Sequence, residues 1–141
     1  MSVISKATTT WRGSLFEGSG EVAFGSSHLG TFPINWQARS EGSESVTTPE
    51  ELIAAAHASC FSMALSNALA QNGTPPETLE TNAAVTFKPG VGITGSHLTV
   101  HAEVPGLEEA KFQELAADAK ANCPVSKALG GVEISLEATL D

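Results

Sequence analysis

The stretch Thr48-Pro49-Glu50-Glu51-Leu52-Ile53-Ala54-Ala55-Ala56-His57-Ala58-Ser59-Cys60-Phe61-Ser62-Met63-Ala64-Leu65-Ser66-Asn67-Ala68-Leu69-Ala70-Gln71-Asn72-Gly73 decides the fold. Thr48 suits a helix cap, Pro49 the first helical position, and Glu51 the carboxylate position of a capping box. Gly73 is placed to stop the helix. Between these signals the residues are apolar almost all round, so the spacing predicts a long central helix covered on more than one side, with alanines admitting close neighbours.

On either side of this helix the period changes. Upstream, Thr9–Phe16, Gly20–Phe24 and Phe32–Arg39 alternate between apolar and polar residues and are separated by Gly and Ser. This reads as an antiparallel meander. Downstream, strand patterning returns at Ala83–Phe87 and His97–Val104. A second helix follows over about Leu107–Ala121, with Phe112, Leu115, Ala116 and Ala119 on one face. Pro124 breaks it, a short helical turn through Leu129 follows, and Val132–Leu140 closes as a strand. The expected class is α+β, antiparallel strands around a buried helix. No repeat or long linker divides residues 1–141, which are expected to form a single domain.

Sixteen acidic residues against seven basic ones give a formal charge of −9. Such a surface repels nucleic acid and anionic membranes. The N-terminal residues Met1–Thr10 contain no apolar core of a secretory signal. No run is expected to supply the roughly 20 apolar residues of a bilayer span. A cytoplasmic location follows as the expectation, and there thiols start reduced.

Two patterns are set aside on physical grounds. Gly90-Val91-Gly92-Ile93-Thr94-Gly95 fits G-x-G-x-x-G, but that motif binds a dinucleotide only where a helix follows to receive the pyrophosphate. Here an alternating strand follows, so a hairpin loop is expected. His28, His57, His97 and His101 invite a metal reading. Positions 97 and 101 would lie about 13 Å apart along a strand, and no CxxC or HxxxH spacing occurs, so no metal site is expected.

The chemistry-bearing residues are the two cysteines, Cys60 within the long helix and Cys123 in Asn122-Cys123-Pro124-Val125-Ser126. A free cysteine on an apolar helix is commonly a small packing residue. A reactive one needs nearby positive charge or hydrogen-bond donors. Guanidinium comes only from Arg12 and Arg39. Glu50, not needed for the capping box, is free to orient an arginine, but a straight helix sets it about 15 Å from Cys60 along the axis. Cys123 precedes a possible helix N-terminus, where amide dipoles lower a thiol pKa. On residues alone the pair remains open between inert packing and thiol redox chemistry. His57, three residues before Cys60, reads as a packed neutral histidine.

Thr48–Leu65 together with Asn122–Ser126 resembles the OsmC/Ohr family of thiol-dependent hydroperoxide reductases, and the OsmC branch more closely, through His57 and the Glu41-Gly42 turn. Trp11-x-Gly13 and Val104-Pro105-Gly106 extend the likeness along the chain. The resemblance implies an antiparallel sheet wrapped around the central helix in an intertwined homodimer, with active sites at the subunit interface. It implies Cys60 as the peroxidatic cysteine, Cys123 as the resolving one, and Arg39 with Glu50 as the pair that activates the thiolate and binds peroxide. Glu50 would then serve the other subunit's site. A small organic hydroperoxide is the implied substrate, a lipoyl-type or thioredoxin-type dithiol the reductant, and no metal, flavin or haem cofactor is implied. Ser40 stands where the family commonly has a bulky aromatic, which bears on the substrate pocket. The rival readings are a non-enzymatic dimer that binds a small apolar ligand and a dithiol redox sensor.

Overall fold

The computed structural model describes residues 1–141, which form two compact units, Met1–Pro49 and Glu50–Asp141. In the N-terminal unit, β1 (Ala7–Arg12), β2 (Ser19–Phe24) and β3 (Thr31–Ile34) make an antiparallel sheet in that order. Phe24 and Phe32 pack across the β2–β3 pair with ring centroids 5.4 Å apart, the kind of cross-strand aromatic contact that fixes register. The expected third strand stops early. Asn35 turns the chain into a short helix, α1 (Trp36–Glu41), its side chain accepting the Ala38 N–H at 2.7 Å. A capping asparagine there outweighs the alternation read through Arg39.

In the C-terminal unit, α2 (Pro49–Gln71) is the expected long helix, beginning at the proline. It ends in a Schellman motif: Gly73, at φ +84°, donates to the Ala70 carbonyl, and Thr74 donates to that of Leu69. Two long strands, β4 (Thr78–Lys88) and β5 (Gly92–Glu103), follow as an antiparallel hairpin. Its turn takes in only the first two residues of the glycine pattern, Gly90 at φ +82° and Val91, whose N–H bonds the Lys88 carbonyl, while Gly92–Gly95 already belong to β5. Helices α3 (Glu109–Asn122) and α4 (Pro124–Ala128) lead to the last strand, β6 (Glu133–Leu140).

Two expectations are corrected. β6 pairs with β5 in parallel, so the second sheet is mixed. The helical connection returns the chain to the end where β5 began, which a tight turn cannot do. Nor is α2 covered on several sides within the chain. Its buried apolar residues form one stripe at four-residue spacing, Phe61, Leu65 and Leu69, with His57 one turn before them. This stripe packs with Leu98, Val100 and Ala102 of β5 and with Phe112, Ala116 and Ala119 of α3. Met63 is 73% exposed.

The expectation of no sufficiently long apolar run is also corrected. By length and composition alone, the 23-residue α2 is long and apolar enough to cross a membrane, with an 18-residue window of mean hydropathy 1.4. Alanine, methionine and cysteine raise that mean although none is as apolar as leucine. Phe61, Leu65 and Leu69 nevertheless lie against β5 and α3.

Candidate active site

The C-terminal unit brings the two cysteines together. Cys60 lies on α2, one residue before the buried stripe's Phe61, and is partly exposed. Cys123 is fully buried at the break between α3 and α4. That break has a local cause: Pro124 cannot continue α3 but suits the first position of α4. Cys123 thereby becomes the cap of α4, its Sγ accepting the Ser126 N–H at 3.4 Å. Both cysteines are free thiols, near enough for each to shift the other's acidity.

The electrostatics of the pair are unequal. Burial pushes the Cys60 thiol up, and its neighbour Cys123 adds to this, more than the Val125 amide offsets. Burial also pushes the Cys123 thiol up, but the Ser126 hydroxyl and amide, the Cys60 thiol and the Val125 amide together bring it below its ordinary value. Donors directed at a sulfur favour its charged form. The first proton lost by the dithiol therefore comes from Cys123, with the Cys60 S–H donating to it.

The polar surroundings of Cys123 extend inward. His57 is fully buried, with Nδ1 2.6 Å from the Ser96 Oγ of β5 and Nε2 2.8 Å from the Ser126 Oγ of α4. Burial lowers its pKa, so the ring is neutral at physiological pH. The sequence reading of His57 as a packed neutral histidine holds for its burial. Its two serine partners went unrecognised, because only the tertiary fold aligns positions 57, 96 and 126.

The other candidate residues occupy different places. Glu50 is buried in the first turn of α2, on the same continuous helix as Cys60 and about 15 Å from it along the axis. Arg39 belongs to the N-terminal unit. There it borders a cavity of about 330 Å³ whose other walls include Trp11, Leu15, Ile34, Trp36 and Pro49. Phe16 stacks edge-on against Trp36, with centroids 5.7 Å apart. An apolar pocket with one guanidinium at its edge suits a small organic molecule with a polar end. His97 bonds the Ser135 Oγ at 2.6 Å on the sheet formed by β4, β5 and β6.

Comparison with known proteins places the chain among relatives. Residues 42–137 match the family described as OsmC-like protein. The chain is 40% identical over 143 aligned positions to peroxiredoxin OsmC of Escherichia coli, covering 99% of each chain. Among solved structures, an OsmC-like protein from Mycoplasma pneumoniae has a TM-score of 0.74 at 16% identity, with 99% of each chain covered. The organic hydroperoxide resistance protein OhrB of Bacillus subtilis has a TM-score of 0.63 at 26% identity, with 96% of this chain and 98% of that one covered.

Proposed function

Because the chain belongs to the OsmC family, we propose that it is a cysteine-based peroxidase that reduces organic hydroperoxides, and hydrogen peroxide more weakly. The carrying observation is the contact between the free thiols of Cys60 and Cys123. The relative named peroxiredoxin, with 99% of both chains aligned, supports the activity and supports treating residues 1–141 as one functional domain.

The Cys60 thiolate attacks the distal peroxide oxygen. The O–O bond breaks, and the alkoxide takes a proton and leaves as alcohol. Cys60 is left as a sulfenic acid, which condenses with Cys123 to form a disulfide and water. A dithiol reductant of lipoyl or thioredoxin type restores both thiols by exchange. Since its surroundings raise the Cys60 pKa, the attack requires a cation at that sulfur. We assign this role to Arg39, which also stabilises charge developing on the O–O bond. Its apolar pocket favours an organic group on the peroxide.

Glu50 is assigned the orientation of that guanidinium. Its separation from the Cys60 of its own helix favours a homodimer in which each subunit supplies Glu50 to its partner's site. Exposure of Met63, which lines a groove of about 630 Å³ with Ser62, Ser66 and Asn67, supports a second copy against this face. Two free thiols suit the reducing cytoplasm.

Steady consumption of cumene hydroperoxide with a dithiol tests the reading. Cys60→Ser is expected to fall to the uncatalysed rate, and Cys123→Ser to complete one oxidation without normal cycling. Undiminished turnover by Cys60→Ser would end the enzyme reading. A single oxidation by the parent protein, with no continued turnover, would indicate a sensor instead.

A further inference from the structure

The buried set Ser96, His57 and Ser126 has no part in the steps above, yet it ends on the resolving sulfur. Ser126 is tied to both Cys123 and His57: its backbone N–H bonds the Cys123 Sγ at 3.4 Å and its hydroxyl bonds the His57 Nε2 at 2.8 Å, which sets the hydroxyl beside the thiol it helps to acidify. On the far side of the ring, Nδ1 is held by Ser96 at 2.6 Å. No buried side-chain nitrogen or oxygen lacks a partner.

A hydroxyl has one proton, which constrains this chain of contacts. If Ser126 donates to the Cys123 sulfur, its oxygen must accept from the His57 Nε2–H, and Nδ1 must then accept from the Ser96 hydroxyl. If Cys123 is protonated and donates to Ser126, every bond reverses: Ser126 donates to Nε2, and Nδ1–H donates to Ser96. Both arrangements use a neutral ring, as its burial favours. The ring's tautomer is thus coupled to the protonation of a sulfur that it does not touch.

We propose that Ser96, His57 and Ser126 form a buried positioning relay that aims the Ser126 hydroxyl at Cys123 and readies that sulfur to attack oxidised Cys60. The inference rests on the resolving role assigned to Cys123. In the step it assists, the Cys123 thiolate attacks the Cys60 sulfenic sulfur. The S–S bond forms as the S–O bond breaks, Cys123 being oxidised and Cys60 reduced. Hydroxide departs and forms water with the proton that Cys123 released. Ser126 touches the reacting sulfur, whereas His57 and Ser96 act through it. The other groups acting on the Cys123 thiol are the Cys60 thiol of α2 and the Val125 and Ser126 amides of α4.

The test titrates Cys123 alone, by the ultraviolet absorbance of its thiolate in full-length Cys60→Ser protein. Adding Ser126→Ala or His57→Leu should raise its pKa by about one unit, which is about tenfold less thiolate below the pKa. His57→Gln, which keeps a donor toward Ser126, should restore most of the shift, a rescue that a purely space-filling role would not require. In the two-cysteine protein, Ser126→Ala should increase dimedone-trapped Cys60 sulfenic acid about tenfold after one equivalent of cumene hydroperoxide. An unchanged Cys123 titration in Ser126→Ala would overturn the relay, and this variant decides alone if His57→Leu does not fold. If the parent protein forms no Cys60–Cys123 disulfide with hydroperoxide, the resolving role assigned to Cys123 fails, while the titration still reports on the relay.

Discussion

Cys60 and Cys123 differ in access as well as in acidity. Cys123 is shut away from solvent and has the lower pKa of the two, while Cys60 is partly exposed. Thiol–disulfide exchange proceeds at the reachable sulfur and fastest when the departing thiol is the more acidic one. The recycling dithiol is therefore expected to attack Cys60 and release Cys123. Mass spectrometry of the oxidised protein quenched during reduction should find the mixed disulfide on Cys60, and an adduct on Cys123 would contradict this order. The sequence made both cysteines legible, and the proline after Cys123 even announced its helix cap. Ser96 and Ser126 were not legible as a set, since neither spacing nor residue type marks a serine that only tertiary packing brings to a histidine.

Within α2, one stripe binds the helix to its sheet and His57 opens that stripe. A buried histidine with a lowered pKa binds fewer protons than it does in the unfolded chain. Stability is thus fully present above the unfolded value of about 6.5 and is lost as pH falls below it. Urea unfolding should show a midpoint that declines through this acidic window, with a shallower decline in His57→Gln. Farther along, Leu65 is fully buried among β5 and α3 side chains, and Leu65→Ala should cost about 2–5 kcal/mol by the same measurement. The boundaries of α2 were legible because Pro49 and Gly73 are strong local signals. The parallel placement of β6 was not, because a strand's alternation is the same whichever way its neighbour runs. α1 was missed because Trp36-Gln37-Ala38-Arg39 also alternates, and only the Asn35 cap distinguishes the two readings.

For the whole molecule, the exposed face of α2 is the feature that sequence alone interpreted too simply. An apolar helix was expected to be covered on several sides, and one chain covers a single stripe. In the proposed homodimer the second copy supplies the remaining cover. Sedimentation should give the mass of two chains, and Met63→Lys, which places a charge at that face, should weaken the association measurably. A monomeric parent protein would remove the proposed source of the second Glu50. The parallel β5–β6 pairing has a further consequence, which concerns synthesis on the ribosome. Cys60 and α2 are made well before β6, which must align beside β5 across the whole α3–α4 connection. Such non-local pairing forms late. The nascent chain therefore passes through a stage in which Cys60 is already present while the strand that follows Cys123 has yet to dock.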